Sequence, residues 1–528
     1  MRARRFQTNF TGGEISGRAF ARTDINRYAN SAARIENMIV GTRGEVFRRT
    51  GTYFAGHTKN TTGAVKLVRF EVSTIAAYIL EFGEEYVRFW RNRAQIESGG
   101  SPYEIATPYQ DGDIGRLRFA QSADVLYICH PDYAPRKLVR TGADTFSLSV
   151  VDFQDGPYQD ENTTAITLTP SDTATGTTIT VTASAALFTS DDVGRLLSIS
   201  DEPTTREPAT AFTTDNIVQS YYAGVTRLYR CVVAGTTAAA DPTTGLEPPY
   251  DKGAPRDESD AVRDGTVVWR YFWRGQSVAG WGVITAVGSS TSATVQLRVP
   301  LAATTASVRW RLGEWGGSRG WPSAMTFHAG RTVWAGSTAR PQTVWMSETG
   351  DFESMSPTEP DGAVLDTNAI TVTLDDDQVN SIRWLSSLNG NLFLGAPSGE
   401  FAISATNRGG ALSPSNIRAE RKGDRGSSDI VPGVRAGNAL LFVSKDGKQL
   451  RQLVYDFSTD SFNAADLTVL AEHISDTAIV DIARQTSPLG IVWAVTEGGW
   501  LLSLTYDQDE EVRAWSRHLR AGDVNAGA

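Results

Sequence analysis

The sequence predicts a mainly β protein: a β-propeller-like core of about six blade-like units, an inserted antiparallel β domain, and a short N-terminal segment containing one helix. Three observations predict it. The 528 residues include 49 Gly, 13 Trp, 16 Tyr and 21 Phe, many turn formers beside stiff aromatics that suit pleated sheets. A layout of strand, turn, strand, turn, strand recurs six times. Long runs of Ala, Leu, Glu and Lys at helical period are scarce.

The repeats begin near Leu67, Leu117, Met325, Ile382, Gly433 and Ile482. Apart from one interval the starts recur every ~50 residues, the period of propeller blades. A lone meander buries one face only, so units must stack, and closing a ring removes exposed strand edges. The interval from Leu117 to Met325 leaves roughly 150 residues beyond one repeat, which predicts an insertion. A chain of this length also exceeds one hydrophobic core. The expected division is therefore 1–60 as an N-terminal segment, 61–159 as the first part of the core, 160–315 as inserted β structure, and 316–528 as the second part of the core.

Within the insertion, residues 161–190 alternate apolar and polar as half-buried strands do. Residues 233–266 are rich in Gly, Pro and Asp and read as surface loops. In the N-terminal segment Ile25, Tyr28, Ala32 and Ile35 recur at helical spacing, with Thr23 or Asp24 able to cap, which predicts a short amphipathic helix.

Charge narrows the function classes. The formal net charge is −10, and no basic block is present beyond the short cluster Arg2, Arg4 and Arg5, so tight binding to DNA phosphates is not expected. Cys129 and Cys231 lie far apart among strand-like neighbours and read as buried free thiols. No apolar leader and no membrane-span-length apolar run occur, so a soluble protein made in a reducing cytoplasm is expected.

Catalytic signatures are few. His57, His130, His328, His473 and His518 are scattered without zinc-site spacing, and there is no phosphate-loop or nucleophile-elbow motif. Asp375-Asp376-Asp377 lacks the alternate spacing and terminal Glu of a calcium loop and reads as a solvated turn. The adjacent pairs Glu84-Glu85 and Glu510-Glu511 point to opposite faces of a strand. No enzyme activity, cofactor or metal is predicted. Trp269, Tyr271 and Trp273 alternate onto one face of a predicted strand, as a glycan-stacking platform or as the packing of a small β core.

The residues that point to a function lie near the N-terminus. Asn9-Phe10-Thr11-Gly12-Gly13-Glu14-Ile15-Ser16 is followed by Arg22-Thr23-Asp24, Tyr28, Ile35-Glu36-Asn37-Met38, Gly44 and Arg48-Arg49-Thr50-Gly51-Thr52. This series resembles the opening of the tail nozzle proteins (tail tubular protein B, or stabilisation proteins) of short-tailed bacteriophages. Gly17 and Thr50 stand where that family usually has proline, which loosens two turns without abolishing them. Asp155-Gly156-Pro157-Tyr158, Asp192-Val193-Gly194-Arg195, Gly320-Trp321-Pro322, Trp345-Met346-Ser347, Gly350-Asp351-Phe352, His473 and Ala514-Trp515-Ser516-Arg517 are similar in the same order. The resemblance covers most of the chain and is weakest in the insertion.

The resemblance implies a structural subunit of a virion tail, assembled in the host bacterial cytoplasm. Such subunits form a ring, commonly a hexamer, below a tail adaptor protein. They extend the channel for double-stranded DNA, gate its exit and anchor tail fibres or spikes. Asn9, Phe10, Gly12, Gly13, Glu14, Asn37, Arg48 and Arg49 would then form an assembly motif, its glycines allowing close backbone approach and its arginines pairing with acidic groups. The family extends beyond the AWSR-like strand, so completion of the last unit by another segment or subunit is expected. The alternative is a carbohydrate- or receptor-binding tail protein that uses the insertion.

Overall fold

A computed structural model describes residues 7–73, 76–222, 225–239, 261–274, 277–359, 362–407, 409–458 and 461–519. The chain is mainly β. Each predicted repeat coincides with one antiparallel sheet whose strands neighbour each other in chain order, at 66–106, 118–150, 324–373, 384–421, 434–466 and 479–518. The sequence pattern showed three strands per unit, whereas each sheet has a further outer strand. In the second to sixth sheets it is Phe146–Val150, Ile370–Thr373, Arg418–Arg421, Ser461–Asp466 and Val512–His518.

Burial explains the strand patterns. Arg331–Ala335 and Ala439–Val443, the second strands of their sheets, are buried at every position, because both faces are covered. Successive sheets share apolar clusters in chain order. Phe82, Phe89, Leu126 and Leu138 join the first and second sheets, and Tyr127, Cys129, Trp334 and Trp345 join the second and third. Val344, Ile370, Leu392 and Phe401 join the third and fourth, Trp384, Phe393, Leu440 and Phe442 the fourth and fifth, and Leu441, Val443, Val492 and Leu504 the fifth and sixth.

The first strands of neighbouring sheets are also tied laterally by polar groups. Gln121 accepts from the Glu71 N–H and donates to its carbonyl. The His328 ring meets the Ser387 hydroxyl at 2.8 Å, Arg435 donates to the Ser387 carbonyl, and Arg484 donates to the Arg435 carbonyl. Between the sixth and first sheets the link among the described residues is electrostatic. Lys66 lies in the field of Asp481, and burial pushes its ammonium down to about 8, with Arg118 adding to the effect. Arg118 of the second sheet donates to the carbonyl of Asp429, in the connection between the fourth and fifth sheets.

Among the described residues the insertion holds a six-stranded sheet, a four-stranded sheet nested within it in sequence, and a short pair of strands, Ala211–Phe212 with Gly235–Thr236. The six-stranded sheet runs in the spatial order Leu168–Pro170, Thr178–Ala183, Ser292–Val299, Val278–Ser289, Leu196–Asp201, Trp310–Leu312. The four-stranded sheet (Ile217–Tyr222, Val225–Val233, Val267–Arg274, Ala261–Asp264) is contributed by the chain between Asp201 and Val278. Both ends of the insertion meet at a neck, where Gln159 N–H donates to the Leu312 carbonyl at 2.9 Å and Tyr158 bridges Gly313. Of the predicted surface loop 233–266, residues 240–260 lie outside the described residues, as does the basic cluster at Arg2, Arg4 and Arg5.

The N-terminal segment corrects one expectation. In place of an amphipathic helix it has two single 3-10 turns, Gly17–Ala19 and Tyr28–Asn30. The reason is competition for the backbone: Ser31–Ala32 pairs in parallel with Gly13–Glu14, so those peptide groups serve a sheet. Ile35 and Val40 pack on Val512 and Ala514 of the sixth sheet. The helical spacing of Ile25, Tyr28, Ala32 and Ile35 is thus not one stripe.

Candidate functional site

The motif residues converge on the last strand, Val512–His518. Glu14 is completely buried and accepts from the Ile35 N–H at 2.8 Å, from His473 Nε2 at 2.8 Å and from the Arg517 guanidinium. Burial alone would raise its carboxyl, but the hydrogen bonds from His473, Arg517 and Ile35 outweigh this and hold it below the ordinary value. Gly13 has φ of +71°, and a Cβ there would stand 2.3 Å from the Trp515 nitrogen. A Cβ on Gly12 would meet the Ser31 hydroxyl at 2.2 Å. These two positions require glycine by contact within the chain.

Asn37 stitches three elements together. Its N–H donates to the Arg517 carbonyl, its carbonyl accepts from the Arg49 N–H, and its side-chain oxygen accepts from the Leu519 N–H. Asn9 folds its side chain onto Thr11, and the Phe10 N–H donates to the Gly44 carbonyl while its ring joins the Ile35 cluster. Arg48 projects outward from the Val46–Arg48 strand, and Arg49 carries a buried Nε without a protein partner. The motif therefore acts first within the chain, as a clamp on the sixth sheet. Met38 pairs with Arg48 across the two strands, and Met38, Phe47, Tyr53 and Phe54 are exposed, the last two 72% and 67%. Sequence reasoning missed Phe47, Tyr53 and Phe54, although aromatics at 53 and 54 outside any periodic run were a visible signal.

The predicted aromatic platform is corrected at its first member. Trp269 is wholly buried, with its indole N–H 3.2 Å from Asp264 and the Phe212 ring against its face. It packs with Val218, Tyr229 and Cys231 in the core of the four-stranded sheet, and Tyr271 is half-buried against Tyr229. A small sheet with one covered face needs such a residue to fill its core, so Trp269 cannot offer a face to a sugar. The side chain of Trp273 lies outside the described residues. Cys129 and Cys231 are free and buried, as expected, and burial pushes the Cys129 thiol up to about 12.

Among the described residues, Asp113, His130 and Asp132 form a group whose potential ligand atoms lie within 4.8 Å of one another. The Asp132 N–H donates to His130 Nδ1, which leaves the ring proton on Nε2, 3.8 Å from Asp113. That tautomer presents no lone pair towards Asp113, and burial disfavours the charged ring. Asp113 is occupied by the Tyr133 hydroxyl and the Gln110 N–H. The group locks a corner of the second sheet.

No family model matches the chain, and no curated protein matches it. Among solved structures the chain is similar to a crystal structure of BBS1N in complex with ARL6DN, soaked with mercury, at 9% identity and a TM-score of 0.29, covering 84% of this chain and 92% of that chain. Among the described residues no helix is long and apolar enough to cross a membrane.

Proposed function

We propose that the chain is a non-enzymatic structural subunit of a bacteriophage tail nozzle. The observation that carries this reading is the ordered series from Asn9 to Thr52 with its counterparts downstream to Arg517. In this reading the six repeat sheets are blades of a propeller, with the insertion between the second and third. Support comes from the five consecutive face-to-face apolar interfaces and from the lateral ties between first strands. The N-terminal clamp fastens the sixth sheet, the last blade of the series.

The subunits assemble into a ring, a hexamer by the resemblance, below an adaptor ring. The exposed Arg48, Tyr53 and Phe54 are the residues through which each would reach a neighbour. An acidic chain suits a channel that double-stranded DNA passes through without being held. Tail fibres or spikes anchor outside, and the assembly resides in the virion tail after forming in the host cytoplasm. Electron cryo-microscopy of the purified chain mixed with its adaptor tests the reading. A closed ring of identical subunits with a DNA-wide axial opening is expected, and a chain that stays monomeric and never joins a tail complex would overturn it.

A further inference from the structure

We propose that the polar face of the inserted six-stranded sheet carries a binding cleft for an acidic sugar, a hexuronate-type residue. This inference does not depend on the ring reading.

The cleft follows from strand register. On one face of the sheet Leu197, Ile199, Trp310 and Leu312 form its apolar core. Alternation therefore turns Ser198, Ser200, Arg309 and Arg311 to the other face. Ser198 pairs with Trp281 on one side and with Arg311 on the other, and Ser200 pairs with Ala279 and bonds the Arg309 carbonyl. Two cross-strand rows result, Trp281–Ser198–Arg311 and Ala279–Ser200–Arg309. Segments from elsewhere wall this floor: Asp155, Tyr158 and Glu161 from the neck, and Thr358 and Glu359 from the connection before Ile370–Thr373. The enclosed volume is about 460 Å³, within the range of small-molecule sites.

The chemistry selects the ligand class. Arg309 and Arg311 share one carboxylate, Glu161, at 3.7 and 3.4 Å, too long for close bidentate pairing. Arg298 also lines the cleft and is paired with the exposed Asp152, at 3.5 Å. A ligand carboxylate would complete these guanidiniums. Asp155 is already engaged, accepting from the Ser356 hydroxyl at 2.7 Å and from the Tyr158 hydroxyl at 3.1 Å. A bare phosphate would find Glu161 and Glu359 repulsive. A hydroxylated acid uses those same carboxylates, and the Ser198 and Ser200 oxygens, as acceptors for its hydroxyls. The rim of Trp281 gives one apolar edge for a sugar ring.

Saturation-transfer NMR on the full chain tests this with D-glucuronate as the probe and D-glucose and inorganic phosphate as comparators. Saturable glucuronate binding is expected, weakened about tenfold in Arg309→Gln and in Arg311→Gln as one charge-assisted contact is lost. Both side chains are roughly half exposed, so both variants should melt as the parent does. Glucose should bind at least about tenfold more weakly, since it lacks the carboxylate. Absence of saturable glucuronate binding, binding in both variants as tight as in the parent, or phosphate competing as well as glucuronate would each overturn the assignment.

Discussion

Replacing Glu14 with Gln removes one negative charge from a point where the Arg517 guanidinium, the His473 ring and the Ile35 N–H converge. The amide keeps one acceptor oxygen, enough for the Ile35 N–H, but turns an NH₂ donor towards two other donors. Breaking a fully buried pair in this way costs about 3–5 kcal/mol, mostly because the partner charge is left uncompensated. Arg517 and His473 are 21% and 28% exposed, so water relieves part of that cost and about 2–4 kcal/mol is expected. In a chain of many sheets the loss is local, a detachment of the N-terminal segment rather than global unfolding. Hydrogen exchange reads it directly: amides of Met38–Val40 and Val512–His518 should lose protection about 30-fold to about 1,000-fold, while those of Ala439–Val443 keep theirs. Unchanged protection at Met38–Val40 and Val512–His518 would refute the clamp.

Gly13→Ala should release the same segment, since its Cβ would enter the Trp515 backbone, whereas Gly99→Ala, also at positive φ but in open space, should cost only ~1 kcal/mol; limited proteolysis of the two variants separates contact from backbone strain. His518 is held neutral down to about 4 by burial, with Arg49 adding to it. Its folded pKa thus lies below the unfolded value of ~6.5, so its contribution is complete above that pH and is lost progressively as pH falls towards 4. Melting of the parent should therefore decline over that window more than melting of His518→Asn, and equal declines would count against it. Cys129 should resist thiol reagents at pH 8 in the native state and react fully in denaturant, and rapid native labelling would contradict its burial.

Much of the repeat architecture was legible because burial on both faces leaves continuous apolar runs such as Ala439–Val443. Except for the strand around Ala514-Trp515-Ser516-Arg517, the outer strands were not legible. Arg418–Arg421 is one with no fully buried residue, and a strand of charged residues at a sheet edge carries no periodic apolar signal. The N-terminal helix failed because apolar spacing cannot register a competing partner: Gly13–Glu14 lies far from Ser31–Ala32 in sequence but captures it as a strand. Trp269 shows the same limit for a site. Alternation placed it on a face but could not say whether that face was covered, and Phe212 and Cys231 cover it. The polar cleft was invisible because its two rows exist only across strands, with Ser198 beside Trp281 and Arg311.

The clamp has a consequence for how the chain is made. Glu14 and Arg517 are separated by 503 residues. During synthesis the N-terminal segment therefore leaves the ribosome with no seat to occupy, and must wait until nearly every other strand has been translated. At ~5–20 residues per second that wait is on the order of half a minute to two minutes. Throughout it Phe10, Ile35 and Val40, destined for burial, stand in water beside Tyr53 and Phe54. Docking of this segment is the late, long-range step of folding, and the interval before it is when a holdase would be most useful and when misassembly between nascent chains is most exposed.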